Sequence, residues 1–343
     1  MVGPAEDSPR PAVVPGKMLT ASLVSLLGAY VALWVPFLGV PIAASALAWL
    51  WFRGMKLPSV IIAVGCGAAT FASDLAGPIY VTLWLLIAGP LAAAMLSKRS
   101  LTSVVLVVTL LMSGVWIGLI TGAAAYEGKN VQGLIGSLVK TATEPALKQV
   151  VGTDKGAEET RKQIGEMATT ITRMWPAVFV IMSFLTSLFA VSAVAAVAKT
   201  SGAMVNGPPT LPELDMSPHV VWVLIAGVGL VALDKFIGGW NGGILGIAGE
   251  NALSVIRWVL FVQGVAVFSG LYRRAGFSRL SRSLGYVLLG ITEILLPLVS
   301  LTGLVDLFVN VRKLPRDGVV GPTIAAESGS GSESSGDRGP WHD

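Results

Sequence analysis

The sequence predicts an all-α fold, a polytopic transmembrane bundle of eight or nine helices with an amphipathic helical insertion. Three observations predict it. Long apolar runs recur at 101–125, 176–198 and 284–311; about twenty such residues cross the hydrocarbon of a bilayer, whereas globular helices are usually shorter and two-faced. Hydrophobic residues make up 53% of the chain and charged residues 13%, with a mean hydropathy of +0.73, which separates it from soluble domains. Runs such as Val104-Val105-Leu106-Val107-Val108 are apolar on every side. That excludes the alternating strands of a barrel, the other structure that satisfies its own backbone in lipid.

In chain order the polar segment 1–17 carries Glu6, Asp7 and several prolines and does not look like a cleaved secretory leader. Spans follow near 18–36, 40–53, 57–74, 77–97 and 101–124, then 174–198, 218–234, 250–272 and 284–311. The second is short, since fourteen helical residues cover only about 21 Å. The last contains Pro297, which predicts a kink or two half-spans. Residues 314–343, rich in Ser, Gly and acids, cannot bury enough surface to offset chain entropy and are expected to be disordered. This divides the chain into 1–17, 18–124, the extramembrane insertion 125–173, the second membrane block 174–313, and the tail.

Positive charge orients the spans. Arg10, Lys17, Arg53, Lys56, Lys98, Arg99, Lys199, Arg273, Arg274, Arg279 and Arg282 fall on one side, expected to be cytoplasmic, with the insertion on the other. Nine complete spans would put Arg312, Lys313 and Arg316 on the wrong side; eight spans or a broken last helix would return them. These loop arginines account for the net charge of +4 without nucleic acid as a partner.

Within the insertion, Leu134, Ile135, Leu138, Val139 and Ala142 share a helical face, and Thr143-Glu144-Pro145 resembles a helix start. Ile164, Met167, Ile171 and Met174 form a second stripe, after Glu158 and Lys162 at a pairing distance of four. A lid over the membrane or a cavity and a plain spacer fit this equally. Its near balance of acids and bases speaks against an anionic-lipid patch.

Ionisable groups inside spans are costly and mark candidate sites. Glu293 and Gln263 each lie about nine residues, or about 14 Å, from the same membrane face and are expected to meet at one depth. Arg257, two turns further, reaches Glu293 only with both side chains extended. A structural Glu–Gln or Glu–Arg contact is favoured over a substrate or proton site, with Gln263, Glu293 and Arg257 as the substrate-binding candidates. Glu250, Ser254 and Arg257 recur on one face beside Asn251, while Asp74, Asp234, Asp306 and His219 sit near span ends and are expected to be solvated. Small residues at spacing four, Ala21-Ser25-Ala29 and Gly114-Gly118-Gly122, predict helix-packing faces, internal packing being favoured over another subunit. The Gly238–Gly243 segment reads as a loop without a phosphate-loop ending.

Two histidines and a single cysteine leave no metal cluster and no intrachain disulfide, and neither HExxH nor GxSxG occurs. No catalytic residue, metal or cofactor is therefore expected.

The order of segments resembles the YybS-like family, bacterial membrane proteins whose activity is not established. The resemblance rests on Val35-Pro36-Phe37-Leu38-Gly39, Trp175-Pro176, Leu211-Pro212-Glu213-Leu214, Gln263-Gly264, Arg273-Arg274, and Leu301 to Phe308 with Arg312-Lys313. The first half is similar to the substrate-binding S components of energy-coupling-factor transporters. In those, a small-residue face of the first helix meets the coupling subunit, which would give Ala21, Ser25 and Ala29 that role. The helices after residue 200 and the insertion depart from the S-component pattern, and the vitamin-binding signatures are absent. The expectation is a multi-pass protein of the bacterial cytoplasmic membrane, partnered by the lipid bilayer and by other membrane subunits. Its role would be a small-solute binding or transport subunit, the alternative being a non-transporting scaffold.

Overall fold

In a computed structural model, residues 15–70, 76–150, 155–203, 210–238 and 243–314 are described, and among them there is no strand. Asp74, most of the Gly238–Gly243 segment, the first fourteen residues and the tail from 315 lie outside the described residues. The helices are α1 (Pro15–Trp34), α2 (Pro36–Phe52), α3 (Lys56–Ala69), α4 (Ala76–Leu86) and α5 (Ala92–Leu96). They continue with α6 (Leu101–Tyr126), α7 (Val131–Gln149), α8 (Lys155–Arg173), α9 (Trp175–Thr200) and α10 (Val220–Gly238). The last three are α11 (Ile244–Arg274), α12 (Arg279–Leu295) and α13 (Leu298–Val309).

Among the described residues six stretches are long and apolar enough to cross a membrane: α1, the α4–α5 unit, α6, α9, α10 and α11. Counting the bent pair α12–α13 as one span gives seven, so the expected eight or nine are not reached. The shortfall has a physical origin. Helix α2 ends at Phe52 and α3 at Ala69, only 17 and 14 residues long, and at 1.5 Å per residue they cover about 26 and 21 Å, short of a hydrocarbon core of about 30 Å. The outer faces of the long helices are apolar, with Leu106, Leu110, Ile225 and Val228 exposed, as lipid contact requires.

Between α4 and α5 the chain widens into a π-helical turn, Ile87–Leu91, around Pro90. Proline donates no N–H and crowds the preceding turn, and the extra residue absorbs both defects without breaking the span. The core of the first half forms where α2, α6 and α9 close on this unit, with Trp84, Leu47, Val108 and Val191 fully buried. Ala21, Ser25 and Ala29 lie in the buried face of α1, whose principal partner is α2. There Gly28 and Gly39 let the two backbones touch: a Cβ at either would overlap backbone atoms of the other helix. Gly114, Gly118 and Gly122 behave oppositely. They lie on the exposed face of α6 and nothing stands within contact distance of them, so this stripe does not pack within the described chain.

The insertion folds as a hairpin of α7 and α8 hung from the ends of α6 and α9. Leu134 and Ile135 anchor it against Ile120, Ala124, Trp175 and Phe179, while Leu138 and Met167 of the expected apolar faces stay exposed. Helix α7 runs through Pro145 instead of starting there.

In the second half α11 is the spine. Helix α13 lies along it at the closest approach in this region, because Gly303 faces the Leu260 carbonyl and Gly264 faces the Val299 carbonyl with no room for a Cβ. Gly303→Ala is expected to force the two helices apart and destabilise by about 1–3 kcal/mol, the usual cost of overpacking. A lowered thermal midpoint in detergent checks it.

Candidate functional site

The long run at 284–311 does not cross as one helix. Leu296 takes an extended conformation, Pro297 precedes the first turn of α13, and the axes of α12 and α13 differ by 100°. Breaking a helix in lipid frees carbonyls at one end and N–H groups at the other, and such a break persists only where protein groups satisfy them. Here Glu293 and Arg257 do so. The Glu293 carboxylate accepts from the Ser300 N–H at 3.0 Å and the Ser300 hydroxyl at 2.6 Å, capping α13. Arg257, from α11, donates Nε to the same carboxylate at 2.8 Å and Nη2 to the Glu293 carbonyl at 2.5 Å, capping α12. The Arg257 carbonyl, 3.0 Å from the same Ser300 hydroxyl, is a second acceptor for its single hydrogen. Glu293 is buried, whereas the Arg257 side chain is 46% exposed. A small apolar cavity of about 150 Å³ adjoins it, lined by Arg257, Pro297, Ser300 and leucines including Leu260.

Gln263 does not join this cluster. It is fully buried one layer away, where Nε2 donates to Asp306 at 3.0 Å and Asp215 at 2.9 Å, and Oε1 accepts from the Met216 N–H at 3.1 Å. The expected Gln263–Glu293 meeting thus gives way to Arg257–Glu293. Depth had been counted from residue 284, but α12 begins at Arg279, which carries Glu293 a further turn and more into the bundle, to the level of Arg257.

Around Gln263 the chain builds its most saturated polar group. Arg312 donates Nε and Nη2 to Asp306 at 3.1 and 2.9 Å, and Nη2 to Asp215 at 3.1 Å. Its Nη1 donates to the Pro212 and Leu214 carbonyls at 2.9 and 2.6 Å. All five guanidinium N–H groups therefore have acceptors. Asp306 is completely buried, and Asp234 nearly so; the latter accepts from the Gly243 N–H at 2.9 Å at the start of α11. Both correct the expectation of solvation, and for the same reason: each carboxylate sits where backbone or guanidinium donors replace water. His219 is exposed, as expected.

This network also fixes the chain path. Arg274, at the end of α11 that leads into α12, donates to the Arg312 carbonyl at 2.9 Å. The α12–α13 pair therefore leaves and returns at one end of α11, a re-entrant hairpin, and Arg312 joins the Arg273–Arg274 end without another crossing. Asp215, Asp306, Arg312 and Ser300 were not singled out in the sequence as site residues. The available signals were Pro297 within a span and an acid and an arginine six apart across a helix end.

Outside the spans, the turn Leu211–Glu213 carries a capping box: Glu213 accepts from the Thr210 N–H at 2.9 Å. The Thr210 backbone N–H first, then its hydroxyl, hold the Glu213 carboxyl below the usual carboxylate range. A depressed folded-state value means stability present above the unfolded pKa and lost as pH falls through the folded one. Glu213 is exposed, so the effect is small: Glu213→Gln is expected to flatten slightly the fall of the thermal midpoint below about pH 4.3, and a pH series of melting curves checks it.

A second polar site lies where the α7–α8 hairpin meets α11. Arg173 Nη2 donates to Glu250 at 2.9 Å, and Asn251 accepts from the Ala177 N–H at 2.9 Å and donates to the Ile247 carbonyl at 2.8 Å. Beside it runs a groove of about 560 Å³ between α7, α8 and the first turn of α11, with Gly136, Val139, Lys140, Ile164, Arg173 and Ile247 among its walls. Arg173 Nε is enclosed there without an acceptor. Among the described residues no group of His, Cys, Asp and Glu is placed to hold a metal ion.

No curated protein and no solved structure matches the chain significantly. Residues 19–307, from α1 through most of α13, match the family described as predicted membrane protein, DUF2232. Apolar helices of spanning length, a re-entrant hairpin held by buried ion pairs, and this match lead to one statement: the chain is a multi-pass membrane protein that belongs to the DUF2232 family.

Proposed function

We propose that this chain is a small-solute-binding subunit of a membrane assembly, with its site in the groove between α7, α8 and α11. The observation that carries the reading is the combination of volume and chemistry there. About 560 Å³ lies within the range of ligand cavities, about 300–1,000 Å³, and the mostly apolar walls carry two cationic residues, Lys140 and Arg173, and no carboxylate. The reading includes no catalytic step and no cofactor. It keeps the positive-inside orientation in a bacterial cytoplasmic membrane, so that the hairpin faces away from the cytoplasm.

In this reading Gln263, Glu293 and Arg257 are framework. Their hydrogen bonds go to the broken helix and to the Asp215–Asp306–Arg312 network, and the cavity beside Arg257 is small and apolar. The similarity to S components assigns Ala21, Ser25 and Ala29 to a coupling subunit; those residues face α2 instead, and the uncovered Gly114-Gly118-Gly122 face of α6 is the better candidate for contact with another membrane protein. The scaffold reading is favoured by one observation, the bonding of all three candidates to other protein groups, which describes a fixed frame.

Native mass spectrometry of the protein purified gently from its own membrane separates the two. Gly165 lines the groove with open space above its Cα, so Gly165→Leu fills the groove without moving backbone. The wild type is expected to carry a noncovalent small molecule that Gly165→Leu lacks. Identical spectra would leave the scaffold.

A further inference from the structure

The groove selects a class of ligand by where its charges stand. Lys140 and Arg173 are the ionisable residues of its lining, and no carboxylate lines it. Val139, Leu147, Ile164 and Ile247 supply apolar wall. The hairpin as a whole is close to neutral, but its acids lie off the groove lining, and three of them pair with lysines outside it: Glu144 with Lys148, Glu166 with Lys162, and Glu127 with Lys129. Averaged charge therefore hides a local cationic groove.

Its position adds a second constraint. The hairpin hangs from the last turn of α6 and the first turn of α9, where Tyr126 is 94% exposed and Trp175 opens the next span. Aromatic residues at span ends mark the headgroup level of a bilayer. A groove at that level, mostly apolar and with Lys140 in its wall, has the pattern of an amphiphile with an anionic head. Glu250 already takes the Nη2 edge of Arg173, which leaves Lys140 as the lining cation that pairs with no carboxylate among the described residues.

We infer that the groove between α7, α8 and α11 binds one anionic phospholipid of the surrounding leaflet, its phosphate accepting from Lys140 and an acyl chain along Val139, Leu147, Ile164 and Ile247. The inference rests on the solute-binding reading of the same groove. A phosphatidylcholine head places a second cation beside Lys140, whereas phosphatidylglycerol does not.

The test uses the full chain in dodecyl maltoside, with dioleoylphosphatidylglycerol, dioleoylphosphatidylcholine and glycerol 3-phosphate as probes, read by native mass spectrometry and thermal shift. One phosphatidylglycerol per chain is expected, at least tenfold preferred over phosphatidylcholine. Lys140→Gln and Gly165→Leu should each reduce that binding at least tenfold while melting, lipid-free, within a few degrees of wild type. Gly165→Leu keeps both cations and the Arg173–Glu250 pair, so its loss of lipid reports on the groove and not on the fold. Equal binding of the two lipids, or phosphatidylglycerol retained by Gly165→Leu, overturns the inference. Glycerol 3-phosphate stabilising wild type but not Gly165→Leu, with no gain from the acyl chains, overturns the lipid while upholding the solute site. No probe bound and no molecule retained from the native membrane overturns both.

Discussion

Arg312→Ala is expected to remove about 3–5 kcal/mol of stability, the measured scale for leaving one partner of a buried ion pair alone, out of a total of about 5–15 kcal/mol typical of folded domains. The loss has three parts acting in one place. Asp306, with no exposed surface, becomes a carboxylate without its guanidinium. The Pro212 and Leu214 carbonyls lose their donor, and Asp215 loses its tie to the chain after α13 while keeping Gln263 of α11. The re-entrant hairpin is then no longer fastened to the 210–216 segment. Arg312→Lys should recover little, because an ammonium has three donors on a flexible stem where five in a plane are used. Asp306→Leu with Arg312→Met should recover much of the loss, since apolar replacement of a buried pair is often neutral. Thermal unfolding in detergent checks the series; an Arg312→Ala protein melting like wild type would show that the network adds nothing.

Sequence patterning reached the long apolar helices, though not the span count, because lipid demands apolar residues over a fixed length and that demand is local. It reached the break at Pro297 for the same reason, since a missing N–H is a property of one residue. Pairing was harder. A helix facing lipid on one side and protein on the other is apolar on both, so hydropathy does not say which face packs. The α6 glycine stripe and the α1 small-residue face have the same spacing, yet one is bare and the other is buried against α2. Register between α11 and α12 depended on where α12 begins, and an error of five residues moved Glu293 from Gln263 to Arg257. Asp306 looked like a solvated end because its partner Arg312 lies beyond the helix and folds back. The backbone at Asn310 is left-handed, with φ of 48°, and there the chain turns. Asparagine tolerates that conformation better than most residues, so a faint signal for the turn was present.

Glu293→Ala is expected to destabilise on the same scale, about 3–5 kcal/mol, but with a different signature. The Arg257 guanidinium, on a half-exposed side chain, would keep only the residue 293 carbonyl of its Glu293 contacts, and the Ser300 N–H at the start of α13 would lose its buried acceptor. Loss should therefore begin at the break, with amide exchange in the first turn of α13 rising before exchange near Asp306, whose own network is intact. Glu293→Gln keeps an acceptor for Ser300 and removes the charge, so it should lie between alanine and wild type. Ser300→Ala removes hydroxyl bonds alone and should cost less, about 1–3 kcal/mol. Pairing Glu293→Leu with Arg257→Met removes both charges and should restore melting while leaving the break less sharply fixed, since the helix ends lose their caps. If exchange at the two sites rose together in Glu293→Ala, the hairpin would be one cooperative unit, and the division into a capped break and a separate fastening at Arg312 would fail.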